Sequence, residues 1–268
     1  MAICKAEIMR LGRGPVPRAN RHYLPGYVWH LTHRCHEGEF LLKFGRDRLA
    51  WIDWLYEARK RYGLCVLNYT ATSNHGHVLT WDQGQGEIAR SMQLIAGRTG
   101  QDYNRRKGWR GAFWEDRYHA TAVESGAHLA RCLVYIDLNM VRAGVVRHPA
   151  QWPAGGYHEI QAAPRRYWIV DRAALAQLLG LASVSQLPQV HAEWVETARR
   201  NSEPRRQPEW TESLAVGSRA FAERVRSELG ERARDREVGP GDEAFVLREP
   251  ATSYRASFAG ENSQIRSE

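Results

Sequence analysis

Hydrophobic and polar positions change period several times between residues 27 and 142, and each change marks an element. Tyr27-Val28-Trp29-His30-Leu31-Thr32-His33 alternates as a strand does, which puts His30 and Thr32 on one face and Leu31 and His33 on the other. Over residues 45–62, Leu49, Ile52, Trp54, Leu55 and Ala58 recur at helical spacing and Gly63 follows as a stop, predicting a helix. Residues 64–71 and 75–81 are extended in pattern and joined by the short Thr72-Ser73-Asn74 turn, which predicts an antiparallel hairpin. Residues 86–107 return to helical spacing, with Ile88, Met92 and Ile95 inward and Arg90, Arg98, Arg105, Arg106 and Lys107 outward; Gly97 and Gly100 are places for this helix to bend or divide. A strand over 119–124 then gives way at Ser125, read as an N-cap, to a helix reaching Arg142 with Gly144 as its stop.

The order β-α-β-β-α-β-α predicts an α+β fold, a ferredoxin-like antiparallel sheet with helices on one face, plus a helical C-terminal extension. Helical patterning recurs over 172–181, 191–200 and 210–229, and from Gly230 onward charge runs with Gly, Pro and Ser predict a disordered tail. Four regions follow: a basic N-terminal arm at 1–24, the principal domain at 25–160, a helical extension at 161–230 and the tail at 231–268.

With 268 residues, 43% of them hydrophobic, the chain can bury one substantial core, or one core with a smaller unit appended. Its net charge is +8 and its basic residues stand beside aromatics, which points to a polyanionic partner such as nucleic acid. The stretch Trp109-Arg110-Gly111-Ala112-Phe113-Trp114-Glu115-Asp116-Arg117-Tyr118 interleaves the two most densely. Such interleaving suits single-stranded nucleic acid, whose bases stack on rings for about 1–3 kcal/mol each while cations follow the phosphates. Phe113 and Trp114 serve equally well as core residues anchoring a loop. Arg98, Tyr103, Arg105, Arg106, Lys107, Trp109, Arg110 and Arg117 are therefore the candidate nucleic-acid contacts, with Arg142 as a further phosphate contact and the helical extension as a further DNA-contacting element.

Cys4, Cys35, Cys65 and Cys132 are far apart and form no Cys-x-x-Cys pair. There is no cleavable signal and no apolar run of the about 20 residues needed to span a bilayer, so a reducing cytoplasm and no membrane partner are expected. No Walker-type Gly-rich loop is present, and no nucleotide cofactor is expected.

Two histidines separated by one residue, His75 and His77, open the second hairpin strand. Side chains at i and i+2 of a strand share a face, so both imidazoles converge on one point, as two ligands of a metal ion must. His30, His33, Cys35 and His36 are also ligand types, but the alternation separates His30 from His33, and strand and strand-exit roles are expected for them. On the last helix Tyr135 and Asn139 are four residues apart, which puts a phenol and a carboxamide on one face. Tyr103 and Tyr118 have no amide at that spacing. If the Tyr135 face covers the histidine strand, three ligands and a nucleophile meet.

Taken together, the chain resembles the REP-associated tyrosine transposases, relatives of the single-tyrosine HUH transposases of small bacterial insertion sequences. The resemblance runs over about residues 25–152 and rests on Thr72-Ser73-Asn74-His75-Gly76-His77, Phe113-Trp114-Glu115-Asp116-Arg117-Tyr118 and Tyr135-Ile136-Asp137-Leu138-Asn139-Met140-Val141-Arg142-Ala143-Gly144. Ala215-Val216-Gly217-Ser218-Arg219 looks like the tail some members carry.

The resemblance implies that 25–160 is the catalytic domain, that His75, His77 and Asn139 bind a divalent cation, and that Tyr135 is the nucleophile. Mg or Mn is the cation associated with the family, and two imidazoles with an amide suit manganese or zinc better than magnesium. The implied reaction is nicking and rejoining of single-stranded DNA beside a hairpin, through a 5′-phosphotyrosine link and a free 3′-hydroxyl; a homodimer is compatible with it. Two positions depart from the family pattern. The hydrophobic residue expected between the histidines is Gly76, which predicts a looser metal site, and Met140 stands where relatives often carry proline. A catalytically silent DNA-hairpin-binding regulator is the alternative that Gly76 favours, and a metal-dependent hydrolase without a covalent step is the third.

Overall fold

Alternation along β1 (Val28–Arg34) sets the plan of the molecule, because that strand lies at the centre of the first four strands. The computed structural model describes residues 24–201 and 207–249. After β1 come α1 (Gly45–Tyr62), β2 (Cys65–Ala71), β3 (His75–Trp81), α2 (Glu87–Lys107), β4 (His119–Val123) and α3 (Ala127–Asp137), each where the sequence pattern predicts it. The chain continues through α4 (Asn139–Arg142), α5 (Tyr157–Gln161), α6 (Arg172–Leu178), α7 (Leu187–Asn201), α8 (Glu209–Glu212), β5 (Ala215–Gly217), α9 (Arg219–Leu229), β6 (Glu237–Pro240) and β7 (Phe245–Arg248). The sheet runs β2-β3-β1-β4-β5-β7-β6. β1 pairs antiparallel with β3 and β4, and the first four strands have the ferredoxin-like order.

Register then assigns the two faces. Thr32 stands opposite His77 on one side and His119 on the other, while His30 stands opposite Leu79 and Thr121. Side chains alternate, so His30, Thr32, His77 and Thr121 share one face, and Leu31, Gly76, Val78 and Ala120 share the other. The second face is the one covered by α1, whose Trp51 indole lies against Gly76, and α2 packs beside α1. The first face is covered by α3: Asn68 of β2 donates from Nδ2 to the Leu133 carbonyl at 3.4 Å and to Asp137 Oδ1 at 3.0 Å. The expected helix layer is thus α1 with α2, and α3 packs across the sheet from it.

Several local expectations are corrected. Trp51, 1% exposed, takes the inward position of α1 in place of Leu49, which is 57% exposed; the 51, 55, 58 spacing defines as good a stripe as one through Leu49. α2 runs unbroken past Gly97 and Gly100. Gly126 and not Ser125 is the N-cap of α3, with φ +74°, outside the usual range of a side-chain-bearing residue. The predicted single helix to Arg142 is interrupted at Leu138, but Leu138 N still donates to the Val134 carbonyl and Arg142 N to that of Leu138, so the face is continuous.

The C-terminal half differs most. The predicted helix over 210–229 is α8, β5 and α9, because Ala215-Val216-Gly217 pairs in parallel with β4 and Ser218 caps the helix that follows, its hydroxyl accepting from Phe221 N at 3.2 Å. The expected disordered tail from Gly230 instead supplies β6 and β7, which extend the sheet, with Val246 and Leu247 fully buried. Residues 1–23 of the basic arm and 250–268 of the tail lie outside the described residues. Among the described residues the larger of two hydrophobic clusters holds buried side chains from Val28 to Leu247, on both sides of residue 160.

Candidate active site

The turn before β3 fixes its first histidine. Thr72 Oγ1 donates to the His75 carbonyl at 2.9 Å and accepts from the His75 backbone N at 3.1 Å, while His75 Nδ1 lies 2.7 Å from Asn74 Oδ1 and 3.0 Å from Thr72 Oγ1. With Nδ1 engaged in the turn, a cation bound by His75 would take Nε2. Two residues on, His77 is fully buried, its ring perpendicular to that of His75 at 4.7 Å between centres. His77 Nδ1 lies 2.9 Å from His30 Nε2, and its Nε2 lies 3.1 Å from Asn139 Nδ2. Burial, reinforced by His75 and His30, holds the His77 imidazole well below its ordinary pKa, so it is neutral at neutral pH and keeps a ring lone pair.

α3 and α4 bring the remaining groups over this strand. The Tyr135 ring stands perpendicular to His77 at 6.2 Å and edge-on to His30 at 6.1 Å, and it leans on Trp210 of α8 at 6.1 Å. Arg142 lies over the Tyr135 ring, 4.1 Å from its centre, and donates to the Tyr135 carbonyl at 2.7 Å. Burial lowers the pKa of that guanidinium, and its contact with Tyr135 opposes the shift. His75, His77, Tyr135, Asn139 and Arg142 line one cavity of about 580 Å³ together with Thr32, Arg34, Arg117, His119 and the carboxylates of Glu115, Asp116 and Glu212.

Among the described residues no three His, Cys, Asp or Glu side chains converge as a metal site. The mixed set of His75, His77 and Asn139 fits a divalent cation on its chemistry: a neutral buried imidazole and a carboxamide meet at 3.1 Å, and the amide oxygen supplies the harder donor. A Cβ built on Gly76 would lie 2.7 Å from the Trp51 ring, so the indole occupies the space that the missing side chain leaves. Met140, at the second departure, is buried in the core.

The candidate nucleic-acid residues divide into groups. Arg117 and Arg142 line the cavity. Arg98 and its neighbours on α2 lie across the sheet, Arg98 over Trp54 and Arg105 3.6 Å from Asp102. Arg106, itself exposed, pairs with the buried Asp47 of α1, and Tyr103 is half-buried against Trp109 and Phe113; Arg110 is exposed and Lys107 lies beside Phe44. Phe113 is core, and Trp114 stacks on His33 at 3.9 Å. His33 bonds the Asp116 carbonyl on the face opposite His30, so the His30, His33, Cys35 and His36 group does not converge.

His30 and Trp210 stand beside the site and were not among the residues expected there, and neither were the lining residues Arg34, Glu115, Asp116, His119 and Glu212. For His30 the signal was present, since a histidine on one face of an otherwise apolar strand must find a buried partner. For Trp210 there was none, because its place depends on chain pairing about 90 residues away from β4 in sequence.

Residues 30–139 match the family of IS200-like transposases. No curated protein matches the chain. Among solved structures, a REP-associated tyrosine transposase bound to a REP hairpin is similar at 17% identity, covering 55% of this chain and 87% of that one, with a TM-score of 0.48. A candidate transposase from Deinococcus radiodurans R1 is similar at 16% identity over 38% of this chain and 82% of that one, with a TM-score of 0.31. The segment that is similar to IS200-like transposases, residues 30–139, holds the histidine pair, Tyr135 and Asn139.

Proposed function

We propose that the protein nicks and rejoins single-stranded DNA beside a hairpin, with Tyr135 as the nucleophile. The observation that carries this reading is the convergence of Tyr135, His75, His77 and Asn139 on one cavity edged by Arg34, Arg117 and Arg142. The phenol oxygen attacks the scissile phosphorus, an O–P bond to Tyr135 forms, the P–O3′ bond breaks and the 3′-oxygen takes up a proton. Rejoining is the reverse, with a 3′-hydroxyl attacking the phosphotyrosine, so bond energy is conserved and no nucleotide is consumed.

A phenol with a pKa near 10 must lose its proton to attack, and the Arg142 cation 4.1 Å from the ring centre favours the phenolate. A divalent cation held by His75, His77 and Asn139 would polarise the phosphate oxygens and orient the scissile bond. The cavity arginines pair with flanking phosphates. Phe44, 52% exposed with Arg46 and Lys107 beside its ring, offers a stacking platform next to the 73–74 turn, to which its loop is tied by Leu42 N donating to the Ser73 carbonyl. Hairpin preference comes from the motif resemblance.

The test is incubation with labelled hairpin DNA from the protein's own genomic neighbourhood and Mn²⁺, beside Tyr135→Phe. A DNA adduct that survives denaturation is expected for the native protein, abolished by EDTA and reduced at least about 10³-fold in Tyr135→Phe. Tight hairpin binding with no adduct in Mn²⁺ or Mg²⁺ would instead support the silent regulator.

A further inference from the structure

The fully buried His30 has no part in the reaction above, yet it bridges the site to the C-terminal half of the chain. Its Nδ1 lies 2.8 Å from the carbonyl oxygen of Trp210, and its Nε2 lies 2.9 Å from His77 Nδ1. A carbonyl only accepts, so His30 Nδ1 carries the hydrogen, and in the neutral ring Nε2 is then an acceptor. The contact at 2.9 Å is a hydrogen bond only if His77 donates from its own Nδ1. That leaves the His77 lone pair on Nε2, the nitrogen directed at Asn139. The Asn139 amide lies 3.1 Å from that nitrogen.

The far end of this chain of bonds is rigid. The Trp210 carbonyl also accepts from Thr121 Oγ1 at 3.2 Å, and the Ser213 carbonyl accepts from Thr121 Oγ1 at 2.7 Å and from His119 Nε2 at 2.9 Å, which pins α8 to β1 and β4. Trp210 is itself 1% exposed and lies against Tyr135. α8 is outside the segment that matches the transposase family.

We propose that His30 is a positioning residue that fixes the His77 tautomer with Nε2 as the ligand nitrogen, and that α8, through the Trp210 carbonyl, is the anchor that holds it. The C-terminal extension therefore completes the active site. The role of the fixed tautomer rests on reading His77 as a metal ligand; the tautomer itself does not. Ligating histidines commonly have their second nitrogen held in this way, and loss of such a partner costs about 10–100-fold in metal affinity.

The experiment is a long-range ¹H–¹⁵N correlation spectrum of the metal-free, ¹⁵N-histidine-labelled full chain at neutral pH, for the native protein, His30→Phe and His30→Gln. A Mn²⁺ titration of each follows. The native spectrum is expected to show hydrogen on Nδ1 of both His30 and His77. His30→Phe should mix or reverse the His77 tautomer and weaken Mn²⁺ binding at least about tenfold, and His30→Gln, whose amide oxygen can accept from His77, should recover most of it. Hydrogen on Nε2 of His77 in the native protein overturns the proposal, as does an unchanged His77 tautomer in a folded His30→Phe. If His30→Phe does not fold, the native spectrum alone decides. The expected tautomers without Mn²⁺ uptake by the native protein would support the relay and count against the metal reading.

Discussion

The two faces of the sheet solve opposite problems. Under α1 and α2 the strands present Leu31, Val78, Ala120 and the backbone of Gly76, and the gap at Gly76 is filled by Trp51. Under α3 and α8 the same strands present His30, Asn68, His77 and Thr121, each fully buried, and every one has a named partner. A buried polar group without a partner costs about 1–3 kcal/mol, so the second face is built as a connected network where the first is built by shape. Shape complementarity is therefore concentrated on the apolar face and hydrogen bonding on the polar one.

The largest effect expected from breaking this division is on the apolar side. Trp51→Ala removes a fully buried indole and should cost about 3–5 kcal/mol in urea unfolding. On the polar face the contact between His191 Nε2 and Asp137 Oδ2, 2.7 Å apart and fully buried, ties α7 to α3 just beyond Tyr135. His191→Ala should cost about 3 kcal/mol, and replacing both residues by leucine should cost less than that single change.

Protonation probes the same face. Burial pushes His30 down to about 3, so as pH falls below the ordinary value of 6.5 the unfolded chain takes up a proton that the folded one refuses. The stability that His30 contributes is complete above about pH 6.5 and is lost progressively toward pH 3; between pH 7 and 5 the loss is about 2 kcal/mol, read from urea midpoints in EDTA. His77 shifts in the same direction and steepens the fall. Gly76→Ala sets a Cβ 2.7 Å from the Trp51 ring and should cost about 1–2 kcal/mol, partly relieved by Trp51→Phe. Smallest in stability is Tyr135→Phe, at about 1 kcal/mol or less, although it should abolish the adduct. A large stability loss there would blur the division between the faces.

Much of this arrangement is legible in the sequence where one element suffices to carry it. The helix over 45–62 ends at Gly63, whose φ of +71° is the left-handed stop the sequence signals. Alternation along β1 separates His30 from His33, and the i, i+4 spacing of Tyr135 and Asn139 survives the interruption at Leu138 because the backbone bonds on either side continue. Leu49 and Trp51 show the limit: both lie on defensible helical stripes, and only the cavity at Gly76 chooses between them. The misread region at 210–229 fails for a similar reason, since Ala215-Val216-Gly217 becomes a strand by pairing with β4, a partner no local pattern contains.

By itself the sequence determined the element order through β4 and α3, the shared face of the two histidines, and the pairing of phenol with carboxamide, because periodicity fixes direction within an element. Tertiary structure decided which nitrogen of His77 faces Asn139, what fills the space at Gly76, that the last strands join the same sheet, and that Trp210 of α8 lies against Tyr135. Those outcomes depend on contacts between residues far apart in the chain, such as His30 with Trp210, and spacing along one element says nothing about them.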